Sequence, residues 1–215
     1  MKNLLPKLTV AVLFAASVAL ADDTNMVPLK TDLPKPQFVG TPVPINVPNL
    51  EPKIMGKRPD FMVPLGTTNL AKGMKVTASD TDPVVGTLDL LTDGDKEGDE
   101  GSWVELAPGK QWTQIDLEKE ADIYAVIVWH YHSQERVYHD VVVQVSDDPT
   151  FSKDVTTIYD NSSAGTDRPY IESYLGKLID AKGVKGRYVR LYSNGNTTNK
   201  MNHYIEVEVW GKPAA

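Results

Sequence analysis

The feature that most constrains this chain is the alternation of apolar and polar residues in its second half. The alternation is clearest in the segments 112–117 (WTQIDL), 186–192 (GRYVRLY) and 204–211 (YIEVEVWG). A period of two is typical of a strand with one face on a core and the other in water, whereas a helix has a period near 3.6. The second half of the chain is therefore predicted to consist of strands.

Turn-rich pieces such as 93–95, 146–149 and 194–196 separate the apolar runs of this region. The predicted strands are 75–78, 103–106, 112–117, 123–131, 137–145, 155–159, 187–192 and 204–210. Residues 83–91 are the candidate for a short helix. About eight short strands without a long amphipathic helix predict an all-β fold, an antiparallel β-sandwich or jelly roll over residues 69–211, followed by a tail at 212–215.

The first residues predict export. Lys2 and Lys7 lie at the start of an apolar run, and Ala19 and Ala21 supply the small residues of a cleavage site. This pattern is typical of a secretory signal peptide, here 1–21 with cleavage after Ala21, because the apolar run is shorter than the roughly 20 residues of a membrane span. The chain has no cysteine. A secreted or periplasmic protein without disulfides fits a bacterial envelope.

The next segment, 22–68, is rich in proline. Its nine prolines between 22 and 64 are at positions 28, 34, 36, 42, 44, 48, 52, 59 and 64. Proline fixes φ and removes an amide donor, so the segment is predicted to be an extended linker rather than a helix or central strand. The alternative is that apolar anchors lay the segment across the folded domain. The candidate anchors are Phe38, Ile45, Ile54, Phe61 and Met62.

The charge of the chain excludes one class of partner. The formal net charge is −7 and the sequence pI is about 5.1. Such a surface repels phosphate backbones, and no basic stripe with interleaved aromatic residues is present. Nucleic acid is therefore not an expected partner, whereas glycans remain open because their recognition does not depend on net charge.

Several motifs of the second half occur in an order typical of one family. The motifs are 69–73 (NLAKG), 76–79 (VTAS), 91–95 (LTDGD), 112–117 (WTQIDL), 126–129 (VIVW), 143–148 (VQVSDD), 187–190 (RYVR) and 206–211 (EVEVWG). Together they resemble discoidin domains, also called coagulation factor 5/8 type C domains, over about 69–211. Glu118 stands where the family usually has glycine, and the cysteine pair of many animal members is absent. The resemblance therefore implies a discoidin-like β-sandwich of the bacterial, galactose-binding-like kind.

An acidic turn between 93 and 100 suggests a calcium site. Closely spaced carboxylates separated by glycines suit Ca²⁺, which accepts six to eight oxygen ligands in loose geometry. The family often has a structural calcium in this turn, closed by a carboxylate of the last strand. Carried over, the resemblance implies five ligands: the Leu91 carbonyl, Asp93, Asp95, Ser102 and Glu206. Spacing alone does not separate Glu206 from Glu208, and a solvated acidic loop without an ion is the alternative.

A second group of polar residues lies after the strand 123–131. His130 and His132 alternate with Trp129 and Tyr131. Two histidines at i and i+2 could ligate zinc, with His139 or His203 as a third ligand, but the spacing matches no known zinc motif. The simpler interpretation is that these rings cap the end of the sheet.

The same loops supply groups that recognise sugars. Aromatic and imidazole faces stack on sugar rings, and Arg and Asn bond the hydroxyls. The candidate ligand-binding residues are His130, His132, Arg136, Asn194, Asn196, Asn199, Asn202 and His203. Asparagine-rich turns also occur for backbone reasons alone. Trp103 is expected in the core, with exposure for sugar stacking as the alternative.

These observations predict a non-catalytic carbohydrate-binding module with a structural Ca²⁺, at the cell surface or in the periplasm. The chain has no cysteine and no G-x-S-x-G motif, and nothing in the spacing of its carboxylates fixes a pair about a scissile bond. The expected partner is a glycan or cell-surface polysaccharide. One alternative is a protein–protein adhesion or assembly module that binds an envelope protein. A metal-dependent hydrolase is the second alternative.

Overall fold

The computed structural model describes residues 25–214, so the signal peptide predicted over 1–21 lies outside the described residues. The strands are β1 Met26–Pro28, β2 Met62–Pro64, β3 Thr68–Asn69, β4 Lys75–Ala78, β5 Val104–Leu106, β6 Lys110–Trp129, β7 Val142–Ser146, β8 Thr156–Asp160, β9 Lys177–Asn194, β10 Asn202–Tyr204 and β11 Glu206–Pro213. A 3₁₀ turn at Leu88–Thr92 overlaps the end of the predicted helix. Over residues 25–214, the structure contains no helix that is both long and apolar enough to cross a membrane.

The sandwich is built around two long antiparallel strands, β6 and β9. The main sheet has the order β3-β11-β6-β9-β7-β8, and β4 also pairs with β6. The first part of β6 pairs with β4 and the end of β9, whereas its last part pairs with β11 and the start of β9. Each long strand therefore takes part in two layers. The all-β antiparallel prediction is confirmed, with eleven strands in the described residues rather than about eight.

Both long strands bend where their pairing is interrupted. The register of β6 against β9 shifts between Asp116 and Ala121. Glu118 has φ +66° and Lys182 has φ +54°. This is the left-handed conformation, which residues with a Cβ atom rarely adopt. This conformation explains why a glycine is favoured at the position of Glu118 in the family that the sequence resembles. The bend lets one continuous strand serve both layers.

The core lies between the two layers. Ile115, Ile123, Val126, Val189 and Val207 are among its fully buried side chains. Val126 and Val128 of β6 and Val207 and Val209 of β11 alternate into this core, as the period-two pattern predicts. The residues between them are buried as well, so the other face of this layer does not meet water as predicted. The core fixes the layers, so the loops at their ends are held in place by rigid strands.

A second apolar cluster covers the outer face of the β6–β11 layer. Ile127, Trp129 and Ile205 form this outer-face cluster, and all three side chains are fully buried. Leu29, from the proline-rich segment, packs against the cluster. Part of the apolar surface that would otherwise face water is therefore covered by the N-terminal segment.

The two ends of the proline-rich segment lie side by side. β1 and β2 form a short antiparallel pair, and the intervening residues 29–61, which we call the strap, pass around the loop end of the sandwich. Val39 N–H donates to the Ser133 carbonyl (2.7 Å), and Glu51 N–H donates to the Pro169 carbonyl (2.8 Å). The strap is extended, as its prolines predict, and it lies on the domain.

The side chains that hold the strap coincide only in part with the predicted anchors. Phe38, Ile54 and Met62 are each nearly half exposed, whereas Ile45 and Phe61 are half-buried. Pro34 is buried, and Lys177 pairs with Glu51 (2.5 Å). The strap is therefore held by hydrogen bonds and ion pairs together with apolar contacts such as that of Leu29 with the outer-face cluster.

Candidate functional site

The acidic turn after the 3₁₀ helix is ordered by its own aspartates. Asp93 Oδ1 accepts from the Asp95 amide (2.7 Å), and Asp95 Oδ1 accepts from the Glu97 amide (2.9 Å). The Ser102 hydroxyl donates to Asp95 Oδ2 (2.9 Å). Leu91, one residue before the end of the 3₁₀ turn, has a fully buried side chain. These contacts bring Asp93, Asp95 and Ser102 together on one loop, which we call the acidic loop (93–102).

Glu206 joins the acidic loop to the last strand. Its Oε2 accepts from the Gly94 amide (3.2 Å), whereas its Oε1 is buried without a hydrogen-bond partner among the described residues. Burial raises the pKa of Glu206 to about 9, and Glu208 and Asp93 add to the rise. A buried carboxylate with an unpartnered oxygen is unfavourable without a cation beside it.

Glu208, the alternative to Glu206, is fully engaged. Its Oε1 pairs with Lys96 Nζ (2.7 Å), and its Oε2 accepts from the Trp210 ring N–H (2.8 Å) and the Thr31 hydroxyl (2.8 Å). Because Glu208 already has a cation and two donors, the geometry favours Glu206 as the carboxylate with capacity for an ion.

The histidines of the predicted binding group do not converge. His132 Nε2 bonds to the Lys96 carbonyl (2.8 Å), and His130 faces Glu172 inside the core. His139 is exposed. Over residues 25–214, no group of three or more His, Cys, Asp or Glu side chains is gathered around a point that could hold a metal. This finding gives no support to a zinc-dependent hydrolase. Asp93, Asp95 and Glu206 are likewise not gathered around one point, so a Ca²⁺ site at the acidic loop would also depend on carbonyl and hydroxyl oxygens.

His130 belongs to a buried polar network. Its Nδ1 lies 2.7 Å from Glu172 Oε1, and both side chains are inaccessible to solvent. The ring stacks on Tyr138 with 4.3 Å between centroids. His130 therefore supports Tyr138 and Glu172 from the interior of the domain. A ligand could reach its ring only by displacing other side chains.

His203 is buried but lies next to the surface. Burial, together with Arg136 and His130, lowers the pKa of His203 to about 3, so the ring is neutral at physiological pH. Nε2 is 2.9 Å from Glu105 Oε2, and Nδ1 is 3.0 Å from the Tyr138 hydroxyl. The neutral tautomer that satisfies both contacts donates from Nε2 to Glu105 and accepts at Nδ1 from Tyr138.

The predicted asparagines organise loops. Asn202 donates to the Ala107 and Gly109 carbonyls and accepts from the Ser193 hydroxyl and the Gly195 amide. Asn196 holds the turn 196–201 in the same way. Both side chains are buried, whereas Asn194 is exposed and donates to Asp140 (2.8 Å), and Asn199 is exposed as well.

A half-buried aromatic pair is formed by residues that lie just before β5 and just after β6. Trp103 and Tyr131 are half-buried and meet edge to face, with 5.0 Å between ring centroids. The Arg136 guanidinium lies over Tyr131 at 4.8 Å, and Tyr131 also approaches His203. We call this surface the aromatic face; it consists of Trp103, Glu105, Tyr131, Arg136 and His203.

Sequence reasoning found only part of the aromatic face. Arg136 and His203 were predicted as ligand-binding residues, and Trp103 was weighed for sugar stacking. Tyr131 and Glu105 were missed, although an aromatic residue at the last position of a predicted strand is a usable signal for a loop-end surface. Glu105 has no such signal, because its position beside His203 depends on the pairing of β5 with β10.

Fold and site together define a discoidin-like β-sandwich module whose loops present aromatic and polar groups. The chain belongs to the F5/8 type C domain family, whose sequence model matches residues 75–207, more than half of the chain. This match confirms the resemblance to discoidin domains that the motifs indicate. No curated protein sequence matches this chain.

Solved structures share the fold at low identity. A family 89 glycoside hydrolase from Clostridium perfringens is similar with a TM-score of 0.54 and 19% identity, over 68% of this chain and 15% of the hydrolase. Chitosan-binding module 1 of a chitosanase/glucanase from Paenibacillus sp. IK-5 has a TM-score of 0.51 and 22% identity, over 67% of this chain and 99% of the module. Truncated AlyQ, with CBM32 and alginate lyase domains, has a TM-score of 0.50 and 18% identity, over 69% of this chain and 35% of truncated AlyQ.

Proposed function

We propose that this protein is a non-catalytic carbohydrate-binding module that binds a glycan on the aromatic face. The observation that carries the proposal is the juxtaposition of two half-exposed aromatic rings with Arg136 and His203. Aromatic rings pack on the apolar face of a sugar, while guanidinium, imidazole and carboxylate groups bond its hydroxyls. His203 and Arg136 are buried (4% exposed each), and both His203 ring nitrogens are already bonded, so these two side chains hold the rings in place while Glu105 is the acceptor nearest the sugar.

The structural neighbours support the sugar as ligand class. One is a chitosan-binding module matched over nearly its whole length, and another contains a CBM32 domain beside an alginate lyase domain. The glycoside hydrolase is matched over only 15% of its length. These similarities favour a binding module over an enzyme, and export by the predicted signal peptide would place the module at the cell surface or in the periplasm.

We propose further that Ca²⁺ is held between the acidic loop and β11. Glu206 Oε1 would supply the carboxylate that has no partner, with Asp93, Asp95, Ser102 and the Leu91 carbonyl as the other oxygens. When bound, the ion supplies positive charge that holds the loop on the last strand. Its role in this proposal is structural, because the residues that would hold it are distinct from those of the aromatic face.

Replacing Trp103 by alanine is expected to weaken glycan binding. Loss of an aromatic stacking partner costs about 0.5–1.5 kcal/mol, which is roughly a twofold to tenfold loss of affinity. A glycan array containing chitosan, alginate, galactosides and fucosides would identify the ligand. Titration calorimetry on wild type and variant would then measure the change.

Trp112→Ala serves as the matched control. Trp112 is also half-buried, but it lies in the first part of β6 and packs against Arg190 of β9. It should leave affinity within twofold of wild type. If no glycan is retained while an envelope protein is captured specifically, the protein–protein assembly function replaces the proposed one. An equal loss in both tryptophan variants would show that the aromatic face is not the site.

A further inference from the structure

A groove lies where the strap passes the loop end of the sandwich. It has a volume of about 230 Å³ and is lined on the strap side by Phe38, Thr41 and Val43, and on the sandwich side by Gln134 and Thr198. Phe38 is 49% exposed and Val43 is 75% exposed, so the strap presents apolar surface here rather than burying it. The groove is therefore open to a ligand.

Contacts on both sides of the groove hold the strap in position. Before it, Gln37 Nε2 donates to Asp99 Oδ1 (2.9 Å) and the Lys35 amide donates to Glu97. Within it, the Val39 amide donates to the Ser133 carbonyl. Lys53, farther along the strap, pairs with Glu135, which also lines the groove. Phe38 thus lies between fixed points, although the segment itself has no regular secondary structure.

The groove lies next to the aromatic face. Gln134 lines the groove, and its Oε1 accepts from Arg136 Nη2 (2.5 Å). Arg136 is buried (4% exposed), and its guanidinium packs on the ring of Tyr131. Two side-chain contacts therefore link the groove to Tyr131, which is close enough for consecutive residues of one ligand to be considered for the two surfaces.

The chemistry of the lining suits a second sugar residue. Phe38 offers an aromatic face, Thr41 and Thr198 offer hydroxyl groups, and Gln134 offers an amide that can donate and accept. We propose that the groove is a second glycan subsite, in which the strap residue Phe38 stacks on the sugar that follows the one on the aromatic face. This inference rests on the proposed glycan-binding function and makes the strap part of the binding site.

Dependence of affinity on chain length tests the subsite. Full-length mature protein would be titrated with glucosamine and chitosan tetrasaccharide, with mannuronate and alginate tetrasaccharide, and with galactose and fucose. Wild type is expected to bind the preferred tetrasaccharide at least fivefold more tightly than its monosaccharide. In Phe38→Ala this advantage should fall to less than twofold, with monosaccharide affinity unchanged.

Met55→Ala is the control, because Met55 is an exposed strap residue (83%) outside the groove. It should keep the full length dependence. If wild type binds mono- and tetrasaccharides equally, or Phe38→Ala keeps the advantage, the subsite is wrong while the proposed function stands. If no sugar in the set binds, and an envelope protein is instead captured in a Phe38-dependent way, both the subsite and the glycan function are overturned.

Discussion

Removal of residues 22–61 is expected to lower the free energy of unfolding by roughly 3–6 kcal/mol, because it uncovers part of the outer-face cluster. Trp129 and Ile127 are fully buried with the strap in place, and Leu29 packs on them. A loss of this size is a large part of the 5–15 kcal/mol that usually stabilises a domain. For a chain of this size it corresponds to a fall in melting temperature of roughly 10–20 °C. Urea denaturation and differential scanning calorimetry of the two chains would measure it.

Two single substitutions control for nonspecific effects of truncation. Leu29→Ala should cost roughly 1–2 kcal/mol, since Leu29 packs on the cluster. Leu33→Ala should change stability by less than about 0.5 kcal/mol, because Leu33 is 42% exposed and lies outside both core clusters. A truncated chain as stable as the full one would show instead that the segment is an independent linker.

Substitution of Glu206 by glutamine is expected to change stability in opposite directions with and without calcium. In chelator, the pKa of Glu206 is raised from 4.5 to about 9, so the folded state holds this proton more tightly than the unfolded state. Stability of the ion-free protein therefore falls as pH rises from about 4.5 to about 9. Glutamine removes this penalty, and Glu206→Gln should be more stable than wild type by up to roughly 4–5 kcal/mol at pH 8 in EDTA, since one pKa unit corresponds to about 1.4 kcal/mol.

With calcium the order should reverse. Wild type gains about 4.1 kcal/mol when free Ca²⁺ is 1,000-fold above its Kd, and about 1.4 kcal/mol more for each further tenfold, whereas the variant lacks the carboxylate that would bind it. The order therefore reverses once this gain exceeds the penalty. Melting curves at pH 6 and pH 8, in EDTA and in Ca²⁺, would measure the crossover. Glu208→Gln is the control, since its loss of the Lys96 pair should destabilise the protein in both conditions. Identical wild-type curves with and without Ca²⁺ would contradict the calcium site.

Much of the fold followed from local patterning. β4 has the predicted bounds, and the predicted strands 112–117 and 123–131 lie in the two parts of β6, which ends two residues earlier than predicted, at Trp129. The segment 177–181, which begins β9, was missed because it is short and its lysine and aspartate flank only two apolar residues. Its strand conformation comes from pairing with residues 125–128 of β6, a long-range contact that a local window does not contain.

The site was harder to predict because its polar residues are buried by distant partners. His130 meets Glu172, 42 residues away, and His203 meets Glu105, 98 residues away. His130 and His132, at a strand end, were expected to cap the sheet and meet solvent, yet both rings are buried. The acidic loop was more predictable, because Asp93, Asp95 and Ser102 are close in sequence and only Glu206 comes from far away.

The short pairing of β1 with β2 has a consequence for how far the module extends from whatever precedes it. A fully extended chain from Met26 to Pro64 would span roughly 130 Å. Because Met26 pairs directly with Pro64, the two residues instead lie on neighbouring strands about 5 Å apart. The proline-rich segment therefore adds almost no reach. A tether that ends near Asn25 would hold the sandwich close to its point of attachment, because the long segment lies on the surface of the domain and does not extend away from it.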